Sequence, residues 1–148
     1  MIVQKSVLGL FTATLLGSCS MMMGQGTTYN FKHNPNAADP AAMGRAVATM
    51  DGSMVSTTLS LSGLTPGKAY IAHYHAFGPA SSTDPCASSG PVTLGFPNFS
   101  ADANGNASVT VKGDMTKIMG DMGAYINVHY ASDPSVVPIC APVKMTKG

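Results

Sequence analysis

The chain has 148 residues, a formal net charge of +1 at pH 7 and only 10% charged residues. A chain of this length forms one domain with one core rather than two. So weak a charge excludes a surface that binds nucleic acid. All seven acidic residues are aspartates, which excludes mechanisms built on a glutamate, such as the HExxH zinc helix.

Residues 1–18 have the order of a lipoprotein signal peptide. Lys5 gives a positive start, residues 7–16 form a short apolar run, and small residues lead to Cys19. The run is shorter than the roughly 20 residues that a membrane-spanning helix needs. Residues 16–19 resemble the lipobox of bacterial lipoproteins, whose cysteine is lipidated. We therefore expect an exported protein of the bacterial cell envelope, periplasmic or on the outer surface, anchored to the membrane through a lipid on Cys19. The alternative is an ordinary secretory signal with an incidental cysteine.

Residues 19–26 have no hydrophobic period and predict a flexible tether between the lipid and the domain. Met21, Met22 and Met23 lie within it. Because thioethers are soft ligands, these methionines are alternatively a contact for Cu(I).

The sequence of residues 27–148 predicts one all-β domain. Apolar and polar residues alternate between turns of Gly, Pro, Asn and Asp, without a long helical pattern. In the clearest strand, Met54 to Leu61, the odd-numbered residues share one face. Asn104-Gly105 is a strong hairpin signal. Eight strands in all favour a Greek-key β-barrel or sandwich. The other seven predicted strands are Thr27 to Lys32, Gly44 to Met50, Lys68 to His75, Phe96 to Ala101, Asn106 to Lys112, Ala124 to Tyr130 and Ala141 to Met145.

Three histidines have the spacing of a metal site. His73 and His75 are two residues apart in a predicted strand, so both side chains leave the same face about 7 Å apart. In the strand Ala124 to Tyr130, His129 alternates with the apolar residues and should point outward with Tyr125 and Asn127. If the two strands are neighbours, three imidazoles converge on one point, a set suited to copper or zinc. Taken singly, each histidine is an ordinary surface or hydrogen-bonded residue.

The three cysteines are interpreted as one lipidated residue and one pair. If Cys19 is lipidated, Cys86 and Cys140 remain as a pair, and a bridge between them would persist in an oxidising compartment. The alternative is two separate buried thiols.

Several stretches form an order that covers roughly residues 53–145. They are Leu64 to Gly67, Ala72 to Gly78, Cys86 to Pro91, Ala101 to Ala107, Gly123 to His129, and finally Cys140. This order resembles the copper/zinc superoxide dismutase family. The resemblance implies a Greek-key barrel of eight strands, a disulfide between Cys86 and Cys140, one copper ion on His73, His75 and His129, and superoxide as substrate. Residues 124–129 alone also resemble the chordin-type CHRD domain.

The sequence departs from the dismutase pattern in three ways. Val92 replaces the histidine that bridges copper and zinc, and no histidine follows before Asn104, so we expect no zinc. His33 is the candidate for a fourth copper ligand. Val137 replaces the arginine that guides superoxide, which weakens attraction of an anion.

Two further features near the predicted ligands carry alternatives. Asp133 falls where the family has the carboxylate that orients a copper ligand. It is predicted to accept a hydrogen bond from His73, or else is a turn residue. Met115, Met119 and Met122 are expected to pack at the end of the barrel, with contact to Cu(I) as the alternative.

The resemblance implies copper-dependent superoxide dismutation at a three-histidine site without zinc. One alternative is a non-catalytic envelope protein that stores or delivers copper through the same ligands, which Val137 and the many methionines favour. The other is a CHRD-like structural or interaction module whose histidines are structural. Neither enzymatic activity nor the oligomeric state follows from the sequence alone.

Overall fold

The computed structural model describes residues 26–35, 37–77 and 84–144. The signal peptide, Cys19 and Met21 to Met23 lie outside the described residues, as does most of the predicted tether. The lipid anchor and the methionine contact therefore stay predictions. Among the described residues, no helix is long and apolar enough to cross a membrane.

The described chain is all-β, as predicted, with ten strands and one helical turn. The strands and the turn are β1 (Thr27–Asn30), β2 (Lys32–His33), β3 (Met43–Asp51), β4 (Met54–Ser62), β5 (Ala69–Ala76), β6 (Val92–Gly95), β7 (Phe99–Ser100), β8 (Ala107–Asp114), α1 (Met115–Ile118), β9 (Ala124–Tyr130) and β10 (Ile139–Val143).

The strands form two sheets. The first has four strands in the order β1-β3-β4-β8, and the second has six, in the order β2-β10-β9-β5-β6 with β7 also paired to β5. The prediction of eight strands closed into a barrel is wrong. The chain crosses between the sheets at Phe31, so the single strand predicted over residues 27–32 is two short strands in different sheets. In the described part of the chain the two sheets stay separate ladders, which corresponds to the sandwich alternative.

The core lies between the two sheets. Strand β4 alternates strictly, and Val55, Thr57, Leu59 and Leu61 are buried, which confirms the predicted inner face. Tyr70, Ala72 and Tyr74 of β5 contribute from the second sheet, together with Ile126 and Val128 of β9. The Thr57 and Tyr74 hydroxyls are 2.7 Å apart inside this core. A buried hydroxyl costs free energy unless it is hydrogen-bonded, so this pair satisfies both groups and joins the sheets.

Candidate metal centre

The candidate site lies on the face of the second sheet that is turned away from the core. Strands β5 and β9 are antiparallel neighbours, with Ile71 opposite His129 and His73 opposite Asn127. Side chains alternate along a strand, so His73 and His75 leave the face opposite to Tyr70, Ala72 and Tyr74. His129 leaves the same outer face.

Strand β9 differs from the prediction in its burial. His129 was expected to point outward with Tyr125 and Asn127, and it does leave the outer face, yet every residue of β9 is buried. The reason is that residues 84–91, which we call the covering segment, lie over this face. The backbone N–H of Gly90 donates to the Tyr125 hydroxyl at 2.7 Å, and the Asn127 amide, in the orientation that satisfies its neighbours, donates to the Pro85 carbonyl at 3.1 Å.

The three imidazoles converge. One ring nitrogen from each of His73, His75 and His129 lies within 4.8 Å of those of the other two. The ring centroids are 5.8 Å apart for His73 and His75, 5.3 Å for His73 and His129, and 5.8 Å for His75 and His129. Nitrogen atoms about 2.0–2.1 Å from one ion lie roughly 3.3–3.6 Å from one another, so nitrogens at the 4.8 Å limit would have to approach by more than about 1 Å to share it.

Two of the rings are held by backbone carbonyls. Nδ1 of His75 lies 2.8 Å from the Gly90 oxygen, and Nδ1 of His129 lies 2.7 Å from the Pro134 oxygen. A carbonyl oxygen only accepts, so each Nδ1 must carry the proton and each Nε2 must carry a lone pair. Both Nε2 atoms are buried and have no hydrogen-bond partner within the described protein. Buried polar atoms are rarely left unsatisfied, so these two lone pairs indicate a ligand.

The protein environment keeps the rings neutral. Burial lowers the pKa of all three histidines, most of all that of His129, which falls to about 4. The neighbouring His75 lowers the pKa of His73 further, because two imidazolium charges repel. Neutral imidazoles are the form that binds a metal ion.

A disulfide fixes the covering segment to the sheet. Cys86 and Cys140 are bonded, with Cα atoms 5.3 Å apart, and Cys140 pairs with Asn127 in the ladder of β10 and β9. Asp84 lies close to both sulfurs, but the sulfurs are used in the disulfide and Asp84 forms a 2.6 Å ion pair with Lys32. We therefore assign no metal to this second group.

The structure gives Asp133 a different contact from the predicted one. Its carboxylate accepts hydrogen bonds from the backbone N–H of Ser135 at 3.1 Å and from the Ser135 hydroxyl at 2.6 Å, rather than from His73. Asp133 is thus the turn residue of the alternative. Its turn presents the Pro134 carbonyl to His129, so it orients a ligand candidate through the backbone.

His33 lies apart from the three-histidine cluster. It pairs with Ile139, which pairs with Val128, which in turn lies opposite Ala72. The side chains of that row face the core, whereas the cluster lies on the outer face. The register therefore argues against His33 as the fourth ligand, although its own Nε2 is also buried without a partner among the described residues.

The other predicted positions are spread around the site. Val92 lies directly opposite His75 in β6 and is 56% exposed, and Val137 is half-buried. Met115 is buried and Met119 packs against the core, as expected of packing residues, whereas Met122 is 59% exposed.

The sequence reasoning missed Gly90, Pro134 and Tyr125. The Tyr125 ring stacks on His75, with centroids 5.0 Å apart and planes 11° apart. Its phase in β9, the same as that of His129, was a usable signal. The two carbonyl acceptors are backbone atoms, so no residue type in the sequence identifies them.

The family model described as CHRD domain matches residues 12–136. No curated protein matches the chain. The family found is not that of the copper/zinc superoxide dismutases, so the family assignment drawn from residues 53–145 is wrong. The shorter resemblance, carried by residues 124–129, is to the family that matches.

Proposed function

The chain belongs to the CHRD-domain family, and from that premise and the histidine geometry we propose that it is a non-catalytic domain that binds and holds one copper ion. The ligands are His73, His75 and His129. With the N-terminal signals, we place the protein in the cell envelope on a lipid anchor, where it stores or delivers copper.

One observation carries the proposal. Two buried imidazoles have Nδ1 committed to backbone carbonyls and Nε2 without a partner, and a third imidazole nitrogen lies within 4.8 Å. A hydrogen bond on the distal nitrogen that fixes the tautomer is the usual support of a metal-binding histidine. Buried polar atoms are rarely left unsatisfied, and here two such nitrogens converge with a third, whereas the unpartnered Nε2 of His33 belongs to the opposite face of the sheet.

Copper is the ion that suits these donors best. Among divalent first-row ions, a site of nitrogen donors binds copper most tightly. Structural zinc sites take four protein ligands, whereas this cluster contributes three.

The site is better suited to holding a copper ion than to catalysing a reaction. The Nδ1 protons of His75 and His129 are bound to Gly90 and Pro134, so neither ring has a second proton to exchange with a substrate. Val92, opposite His75, has no proton to give.

The test is copper content and affinity of the purified full-length protein, compared with its His73→Ala and His129→Ala variants. We expect one copper per chain. Removing a supporting group of a metal ligand costs about 10–100-fold in affinity, so removing a ligand should cost more than about 100-fold. Copper at about 100 times its Kd should stabilise the wild-type fold by about 2.7 kcal/mol, read as a rise in Tm that both variants lose.

His33→Ala is the matched control, because it removes a histidine of the same sheet from the opposite face. It should bind copper as the wild type does. The proposal is contradicted if the wild-type protein binds no copper, and the chain would then be a CHRD-like structural or interaction module. It is also contradicted if the protein binds zinc more tightly than copper in either oxidation state. Superoxide decay faster with copper-loaded wild type than with free buffer would contradict the non-catalytic part.

A further inference from the structure

The three-histidine cluster contains no charged side chain. All seven aspartates of the chain lie within the described residues, and no carboxylate oxygen belongs to the cluster. Of the aspartates nearest in sequence, Asp133 is exposed and bonded to Ser135, and Asp84 is paired with Lys32. The groups that hold His75 and His129 are peptide carbonyls, which carry no net charge.

An ion at this site would therefore keep its full charge. His129 is only 7% exposed and His75 only 9%, and the Tyr125 ring stacks against His75. The cost of moving an ion out of water rises with the square of its charge, so a divalent ion costs about four times as much as a monovalent one of similar size. With no anion in the cluster to offset the difference, the environment penalises Cu(II) and Zn(II) relative to Cu(I).

The number of donors points the same way. Cu(II) prefers a tetragonal set of nitrogen and oxygen ligands, which three imidazoles from two adjacent strands do not complete. Cu(I) has a filled d shell, like Zn(II), and no such geometric demand.

From these two features we propose that the His73, His75 and His129 site selects copper in its monovalent state over Cu(II) and Zn(II). The determinant is the absence of a carboxylate from the cluster. This inference rests on the proposed copper site and adds the oxidation state of the bound ion.

The first experiment measures Kd of the wild-type protein for Cu(I), Cu(II) and Zn(II) by competition with chromophoric chelators. Cu(I) is kept reduced by ascorbate under argon, so that no thiol reaches the disulfide. We expect the tightest binding for Cu(I). The reduction potential of the bound copper should then lie above that of aqueous copper.

The second experiment compares two variants whose side chains have the same shape and differ by one charge. Ile71 is half-buried, lies on the outer face and is directly opposite His129. Ile71→Asp places a carboxylate beside the cluster, and Ile71→Asn is the neutral control of the same size. At about 6 Å and an effective dielectric constant of about 20, the added charge should shift the ratio of Cu(II) to Cu(I) affinity at least about tenfold toward Cu(II).

The possible outcomes distinguish the copper site, its selectivity for Cu(I) and the cause of that selectivity. If wild type binds no copper in either state, the proposed function fails and this inference falls with it. If copper binds at the histidines but Cu(II) or Zn(II) binds as tightly as Cu(I), only the selectivity is overturned. If Ile71→Asp and Ile71→Asn, both folded by circular dichroism, give the same affinity ratio, the absence of charge is not the determinant.

Discussion

Gly90 supports the site through its backbone alone. Its oxygen accepts from Nδ1 of His75, and its N–H donates to the hydroxyl of Tyr125, whose ring stacks on His75. A Cβ at this position would lie 1.9 Å from the Ala76 carbonyl oxygen. Only glycine therefore allows the chain to pass close enough to β5 for the carbonyl to reach the imidazole.

Gly90→Ala should weaken copper binding about tenfold while the protein still folds. The added methyl group pushes the backbone away from Ala76, so the carbonyl that fixes the tautomer and orientation of His75 moves. Loss of such a supporting group lowers metal affinity roughly 10–100-fold. The measurement is a chelator competition titration, with an unfolding curve for each variant.

Gly95→Ala is the control. Gly95 lies opposite His73 in β6, but there a Cβ would meet only His73 Cδ2, at an ordinary 3.6 Å. If both alanine variants bind copper equally well, the Gly90 carbonyl does not set the affinity.

The residue patterns indicated the imidazoles but not their supports. His73 and His75 share a face because of their spacing, and His129 follows from its phase in β9. The identity of each Nδ1 acceptor depends on where two loops pass over the sheet, which is a long-range outcome of the fold. For the same reason Asp133 was assigned to His73, whereas its short-range contact with Ser135 decides its position.

The covering segment makes the outer face of the second sheet a buried site. It is held at Pro85 by Asn127, at Cys86 by the disulfide, and at Gly90 by Tyr125 and His75. At its last residue, the Pro91 carbonyl accepts from the Ala76 N–H at 3.0 Å. These contacts explain why a face that alternation marks as outward is closed to solvent along β9.

Reducing the disulfide should cost about 4 kcal/mol of unfolding free energy. The bond joins residues 54 positions apart, and on the chain-entropy estimate closing a loop of that length stabilises the fold by this amount. The measurement is urea unfolding with and without a phosphine reductant. The double variant Cys86→Ser and Cys140→Ser is the control, because it should match the reduced wild type and be insensitive to the phosphine. A loss below about 1 kcal/mol would show that the hydrogen bonds of the covering segment suffice.

Sequence periodicity identified the long strands and failed at the short elements. Strand β4 is long enough for its alternation to be unambiguous, and β9 has the predicted bounds. Strand β6 has four residues between Pro91 and Pro97 and carries too little pattern, and the turn α1 is equally short. The change of sheet at Phe31 has no local signal, since it depends on which partner strands are available.

The site and the core occupy opposite faces of the same sheet. The core between the sheets is closed by apolar side chains and by the Thr57 and Tyr74 hydroxyl pair. His73, His75 and His129 do not contribute to this core, so core packing does not require histidines at these positions. His75 and His129 are buried and held neutral on the outer face, and His73 is half-buried beside them. Without a metal ion this cluster lowers the stability of the protein, and that cost should depend on pH.

The metal-free protein should lose stability as the pH falls from about 6.5 toward 4. The pKa of His129 is about 4 in the folded protein and near its ordinary value of 6.5 in the unfolded chain. Between these values the unfolded chain binds a proton that the folded protein does not, so the unfolding free energy falls as the pH falls and levels off above the window. The His73 and His75 pKa values are lowered in the same direction. The measurement is urea unfolding between pH 8 and pH 4 in steps of roughly half a pH unit, which resolve a window of this width. His129→Gln keeps the size of the side chain and cannot titrate, so its pH dependence should be shallower than that of the wild type, while the aspartates contribute equally to both. Equal slopes for the two proteins would show that His129 is not held neutral by burial.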